Sequence, residues 1–205
     1  MSETPYGLLP ARFERWFVGL WEPPAALLSR LGVTPNALTF IGLGFGLIAG
    51  LLAAFGQLRW ALLPLLLMGL CDILDGQVAK HRGQTSRFGA VLDSSLDRFT
   101  DFFLFCGLGI YFYLGSEPWW VLITALVLAG IFQVSYVKAR AEGAGYSCPV
   151  GLVQRSERLI LIAAGLFFGG YVLKGTLLVL MALSYYTAVE RLLYLKKSNW
   201  RPPGF

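Results

Sequence analysis

From residue 36 to residue 197 the sequence is a succession of apolar runs, separated by breaks as short as Gly56-Gln57 and Gly115-Ser116. Several runs reach the roughly 20 residues that a helix needs to cross a ~30 Å hydrocarbon core. Repeated so evenly, that length predicts an all-α polytopic membrane protein with six transmembrane helices, at about residues 36–56, 58–82, 86–114, 117–142, 150–173 and 174–197. With 56% of residues hydrophobic and 14% charged, an ordinary soluble domain is excluded. Residues 1–205 therefore read as a single membrane domain: a juxtamembrane segment at 1–35, the bundle at 36–197 and a tail at 198–205.

Residues 10–30 mix Trp, Phe and Leu with Arg and Glu around a Pro23-Pro24 break, as an amphipathic helix lying on the membrane surface does. No basic stretch runs directly into an apolar one there, so a cleaved leader is not expected. Of the 17 Lys and Arg residues, only Arg59 and Lys174 fall on one side of the predicted spans. By the positive-inside rule the other side is cytoplasmic, and it holds both termini and the loops after spans two and four. This asymmetry accounts for the net charge of +5, and no interleaving of aromatic and basic residues points to nucleic acid. Cys71, Cys106 and Cys148 show no metal-type spacing and read as free thiols. Gly42, Gly44, Gly46 and Gly50 in the first span permit close helix approach.

The segment CDILDGQVAKHRGQTSRFGAVLDSSLDRFTD, residues 71–101, places Asp72, Asp75, Asp93, Asp97 and Asp101 at or inside the ends of two apolar helices. An Asp near the centre of a membrane helix costs about 3 kcal/mol on insertion scales, so clustered carboxylates are expected to face a polar cavity and to have partners. At about 100° per residue, Asp72 and Asp75 share one face of span two, and Asp93 and Asp97 one face of span three. Two facing helices then gather four carboxylates, whose repulsion is relieved by hard divalent cations bound through oxygen. Four carboxylates carry the charge for two such ions, a device that stabilises the entering and leaving oxygens of a phosphoryl-type displacement. Gly76 lets a ligand approach the helix backbone. Asp101, one turn further, reads either as an outer member of the cluster or as a simple helix-end charge. Intramembrane carboxylates also line ion pathways, but few acids lie toward the far side, which disfavours a divalent-cation carrier.

The order Asp72-x2-Asp75-Gly76-x2-Ala79-Lys80-x8-Gly89-x3-Asp93-x3-Asp97 resembles the signature of the CDP-alcohol phosphotransferase (phosphatidyltransferase) family at every spacing. It departs at Lys80, where the family usually has Arg, so a planar fork is replaced by a point charge. The resemblance implies a six-helix membrane enzyme with an N-terminal surface helix, often a homodimer. It implies that Asp72, Asp75, Asp93 and Asp97 bind two divalent cations, Mg2+ or Mn2+, which engage the pyrophosphate of CDP-diacylglycerol. Asp97 is in addition the implied catalytic base toward the acceptor hydroxyl. Pro35, Asn36, Ala37, Leu38, Gly76, Lys80 and Ser86 match positions that hold the CDP moiety.

A second cluster, Lys138 and Arg140, Arg155 and Arg158, then Arg191, lies at the predicted cytoplasmic ends of spans four to six. Positive charges facing a cavity bind phosphate well, so a phosphorylated polyol is the expected acceptor, with Lys138, Arg155 and Arg191 holding its phosphate. The segments SRFGAVLDSSLDRFTD, SYVKARAEG and QRSERL look similar to the branch that uses inositol phosphate, the phosphatidylinositol-phosphate and archaetidylinositol-phosphate synthases. Glycerol 3-phosphate, the acceptor of phosphatidylglycerophosphate synthases, is the alternative. Those enzymes tend to have Asp-Pro-x-x-Asp-Lys where this chain has DSSLDR.

Overall fold

A computed structural model describes residues 17–83 and 85–197. All regular structure among the described residues is helical. Residues 17–20 form a helical turn, and α1 (Glu22–Arg30) follows with Pro23 and Pro24 in its first turn. The prolines start this helix rather than break it, because first-turn N–H groups need no helical partner; the interruption falls at Trp21. Residues 10–16 of the expected surface helix lie outside the described residues.

The remaining helices are α2 (Pro35–Ala54), α3 (Leu58–His81), α4 (Arg87–Leu114), α5 (Pro118–Gly143), α6 (Arg155–Phe168) and α7 (Gly170–Lys197). The side chain of Thr34 caps α2 by accepting from the Ala37 N–H at 3.3 Å, with Pro35 at the first helical position. Ser86 caps α4 in the same way, accepting from the Gly89 N–H at 2.9 Å. Four helices, α2, α3, α5 and α7, are long and apolar enough to cross a membrane. α4 has 28 residues but carries Arg87, Asp93, Asp97, Arg98 and Asp101 in its first 15. α6 has 14 residues, about 21 Å at the helical rise, which is short for a crossing.

Two boundaries differ from the sequence expectation. Residues 150–154 are not helical, and the break between the last two segments falls at Gly169 and Gly170 rather than at 173/174. Those glycines have φ of 63° and 48°, a conformation that Leu173 and Lys174 would adopt only at a cost. Lys174 instead sits inside α7, paired with Glu117 and stacked over Trp120 at 5.3 Å and Tyr171 at 5.8 Å.

α2 packs along both α3 and α4, α5 along α7 and α4, and α6 along α7 and α3. Leu65, Leu108, Phe112, Ile131, Leu166 and Leu177 fill the common core. The approach of α2 to α4 is set by glycine. A Cβ at Gly50 would overlap the Phe103 carbonyl oxygen, and one at Gly107 the Gly50 carbonyl oxygen. Gly46 meets Thr100 of α4 and Gly42 meets Cys71 of α3, whereas Gly44 faces open space, so the close approach to α4 is made at Gly46 and Gly50. This contact holds α4 against α2, along which α3 also packs. Large apolar side chains such as Phe40, Leu47, Trp60, Leu66, Leu122 and Tyr186 point outward from the bundle. In water that surface would be an aggregation liability; here it faces lipid, and the chain is an integral membrane protein.

Candidate active site

Asp72 and Asp75 project from α3, Asp93 and Asp97 from α4. One carboxylate oxygen each from Asp72, Asp75 and Asp93 lies within 4.8 Å of the others, a spacing that three ligands of one cation require. Asp75 is buried at 7% exposure, and its Oδ2 accepts from the Thr39 hydroxyl at 2.9 Å. Oδ1 of Asp93 is buried and has no hydrogen-bond partner among the described residues. Three convergent carboxylates, one with an unused buried oxygen, are a donor set of the hard-oxygen kind that suits a divalent cation.

Asp97 stands beside these three rather than among them. Its Oδ1 lies 2.6 Å from Nη1 of Arg155, which also lies 2.6 Å from Oδ1 of Asp72. Arg155 is the first residue of α6, whose start is fixed by a reciprocal cap: the Gln154 N–H donates to the Glu157 carboxylate at 2.5 Å. Arg155 thus reaches the acidic cluster from α6, which packs along α3. Its Nη2 also donates to Thr100 Oγ1 at 3.4 Å.

On the other side of Arg155 opens a cavity of ≈ 1010 Å³, lined by Lys138, Arg155, Arg158 and Arg191 together with Asp97 and Arg98. It brings together all three residues expected to hold an acceptor phosphate. Lys138 is half exposed and 3.9 Å from Glu142. Arg191 is buried at 7% and donates to the carbonyl oxygens of Val150 at 2.9 Å and Val134 at 2.5 Å, so part of its fork holds the loop before α6. The same loop is tied by the Leu152 N–H, which donates to Glu190 at 3.2 Å. Gly151, at φ 150°, runs so close to Arg191 that a Cβ there would lie 2.7 Å from its guanidinium. Cys148 also lines this cavity, and burial pushes its thiol up, so it stays protonated at neutral pH.

The residues expected to hold the donor fall at one end of α2, α3 and α4. Gly76 is exposed with nothing within 4 Å of its Cβ position, and Lys80 is exposed nearby on the same helix. Pro35, Asn36 and Ala37 form the first turn of α2, and the Asn36 side chain comes close to Gly89, beside the Ser86 cap. Leu38 differs in kind: its side chain is 6% exposed and packs with Ala25, Leu74 and Val78 in the core. Arg82 fastens this end by donating to the Val33 carbonyl at 2.9 Å.

Thr39, Arg82 and Glu190 were not singled out by sequence. Thr39 and Asp75 are 36 positions apart, and nothing local to either shows that they meet. Glu190 had a signal, an acid beside Arg191 in an apolar helix. Arg158 belonged to the basic cluster without an assigned role; it is buried at 7%, with its Nη2 3.9 Å from Asp101.

The sequence model of the CDP-alcohol phosphatidyltransferase family matches residues 32–189. Phosphatidylinositol phosphate synthase of Corynebacterium glutamicum is 39% identical over 193 residues, covering 86% of this chain and 84% of that protein. The enzyme of the same name from Mycobacterium tuberculosis is 38% identical over 169 residues, 80% of this chain and 75% of that one. The crystal structure of the Mycobacterium tuberculosis synthase with CDP-DAG bound superposes with a TM-score of 0.80 at 33% identity, covering 89% of this chain and 98% of that chain. Its complex with manganese and citrate gives a TM-score of 0.79 at 33% identity, covering 88% and 92%. The chain belongs to the CDP-alcohol phosphatidyltransferase family and is a membrane-embedded transferase.

Proposed function

We propose that this enzyme transfers the phosphatidyl group of CDP-diacylglycerol to the hydroxyl of a phosphorylated polyol, inositol phosphate foremost, and releases CMP. The observation that carries this reading is the juxtaposition of an oxygen-rich carboxylate cluster with a large basic cavity, Arg155 lining both. Relatives named for phosphatidylinositol phosphate synthesis, one of them solved with CDP-DAG, support the donor and the acceptor class.

Asp72, Asp75, Asp93 and Asp97 would hold two divalent cations, Mg2+ or Mn2+. When bound, such ions neutralise the donor pyrophosphate and make CMP a better leaving group. Thr39 orients Asp75 through its 2.9 Å hydrogen bond. Asp97 lines the basic cavity as well as the acidic cluster, so it is placed to orient an acceptor hydroxyl there and accept its proton. Lys138, Arg155 and Arg191 take the acceptor phosphate, the guanidinium forks fixing its direction. Pro35, Asn36, Ala37, Gly76, Lys80 and Ser86 contact the CDP moiety, and Leu38 supports them from the core. In the bilayer, α2 to α7 make six crossings, the short α6 completed by the non-helical residues 150–154, most of which line the cavity, with both termini and the site on the cytoplasmic side, and α1 lies at the surface. Residues 1–205 form one domain, and the working unit is a homodimer.

The test is CMP release by detergent-purified protein given CDP-diacylglycerol and, in separate arms, inositol phosphate, glycerol 3-phosphate, inositol or serine. Release is expected with a phosphorylated acceptor and a divalent ion, and not after chelation. Full release from folded Asp93→Asn and Asp97→Asn variants would overturn the assignment.

A further inference from the structure

The side chain of Arg155 belongs to two sites at once. Nη1 sits 2.6 Å from Oδ1 of both Asp72 and Asp97, while the same side chain lines the basic cavity beside Lys138 and Arg191. A cation held by those two oxygens needs the place that Nη1 occupies beside both, and at a few ångströms like charges repel strongly inside a protein. An ion held by Asp72 and Asp97 therefore displaces Arg155. The backbone of its helix does not need to follow, because the Gln154 and Glu157 cap pins the first turn of α6. A rotation of one side chain is enough, and the cavity is where a displaced guanidinium finds room and a new partner if an anion is there.

We propose that Arg155 determines acceptor specificity by exchanging partners: the Asp72 and Asp97 carboxylates before a cation is bound, and the acceptor's anionic group afterwards. The inference rests on the metal and acceptor reading above and adds a coupling to it. A dianion in the cavity draws Arg155 off the carboxylates and so tightens cation binding; the cation frees Arg155 and so tightens anion binding, by the same factor. An unphosphorylated alcohol gives Arg155 nothing to move to. It is then disfavoured twice, by a missing contact and by a weaker cation site.

The experiment measures Mn2+ affinity by electron paramagnetic resonance of the free ion, on purified full-length protein, with sulfate or with chloride at matched ionic strength. Sulfate stands for the acceptor dianion and is not a substrate. Wild type is expected to bind Mn2+ at least about fivefold more tightly in sulfate. Arg155→Gln is expected to bind Mn2+ more tightly than wild type in chloride and to lose the sulfate effect to within about twofold. An unchanged wild-type affinity in sulfate overturns the proposal, and so does an equal tightening in Arg155→Gln. Should that variant fail to fold, sulfate affinity of wild type with and without Mn2+ decides, because the two factors must match. Failure of the underlying reading looks different: no saturable Mn2+ binding in any arm.

Discussion

Thr39→Val removes a single oxygen from the acidic cluster while keeping the shape of the side chain. In the structure the Thr39 hydroxyl lies 2.9 Å from Asp75 Oδ2 and 3.1 Å from the Pro35 carbonyl oxygen. A hydroxyl has one proton to donate, and the nearer carboxylate oxygen, ionised whenever a cation is bound, takes it. A hydrogen bond to a charged group contributes about 1.5–3 kcal/mol. The Pro35 carbonyl competes for the same proton, which puts the loss at the lower end, about 1.5 kcal/mol. That corresponds to roughly a tenfold weaker cation site, in line with the ~10- to 100-fold effect of removing groups that orient a metal ligand. The assay is the Mn2+ dissociation constant of purified protein, with Thr39→Ser as the control that keeps the donor. Equal Mn2+ affinity in wild type and Thr39→Val, or equal weakening in Thr39→Val and Thr39→Ser, would refute the idea that this hydroxyl orients Asp75.

Gly107→Ala is expected to destabilise the bundle by about 1–3 kcal/mol or more, since its Cβ would overlap a backbone oxygen that cannot step aside, whereas Gly44→Ala leaves thermal unfolding unchanged. Asp101→Asn removes the counter-charge of Arg158, whose side chain is 9% exposed, and is expected to cost about 3 kcal/mol. The double change Asp101→Asn with Arg158→Met is expected to recover part of that in a thermal melt. Gly151→Ala sets a Cβ against the Arg191 guanidinium at a φ of 150° that L side chains rarely adopt, so it is expected to lower the thermal midpoint and to raise the acceptor KM about tenfold, the worth of one charged hydrogen bond, with a smaller change in kcat.

The succession of helices from Pro35 to Lys197 and the aspartate spacing were legible because both obey local periodicities. Asp72 with Asp75, and Asp93 with Asp97, fall on single helix faces whatever the rest of the chain does. The close stripe of α2 was legible only in part: Gly44 looked equivalent to Gly42 and Gly46, but at about 100° per residue it turns away from α4. The stop between α6 and α7 depended on which glycines take positive φ, Gly169 and Gly170, and apolar periodicity does not mark that choice. Clusters of like charge were legible across distant positions, but the individual pairings were not. Neither Thr39 on Asp75 nor Arg155 between Asp72 and Asp97 leaves a mark in the neighbourhood of either residue, although the charge of each partner was visible. Leu38 shows the reverse limit, since a motif position read as a ligand contact turns its side chain into the core.

The central claim, that the carboxylate cluster and the basic cavity together serve transfer to a phosphorylated alcohol, is tested most directly by weighing the lipid product. Purified protein is given CDP-diacylglycerol, Mg2+ and an equimolar mixture of inositol and inositol phosphate, and the lipids are analysed by mass spectrometry. The account predicts a phosphatidyl product that retains the acceptor's phosphate, formed in equal amount to CMP. A product built on unphosphorylated inositol, or CMP release with no new lipid, would contradict it.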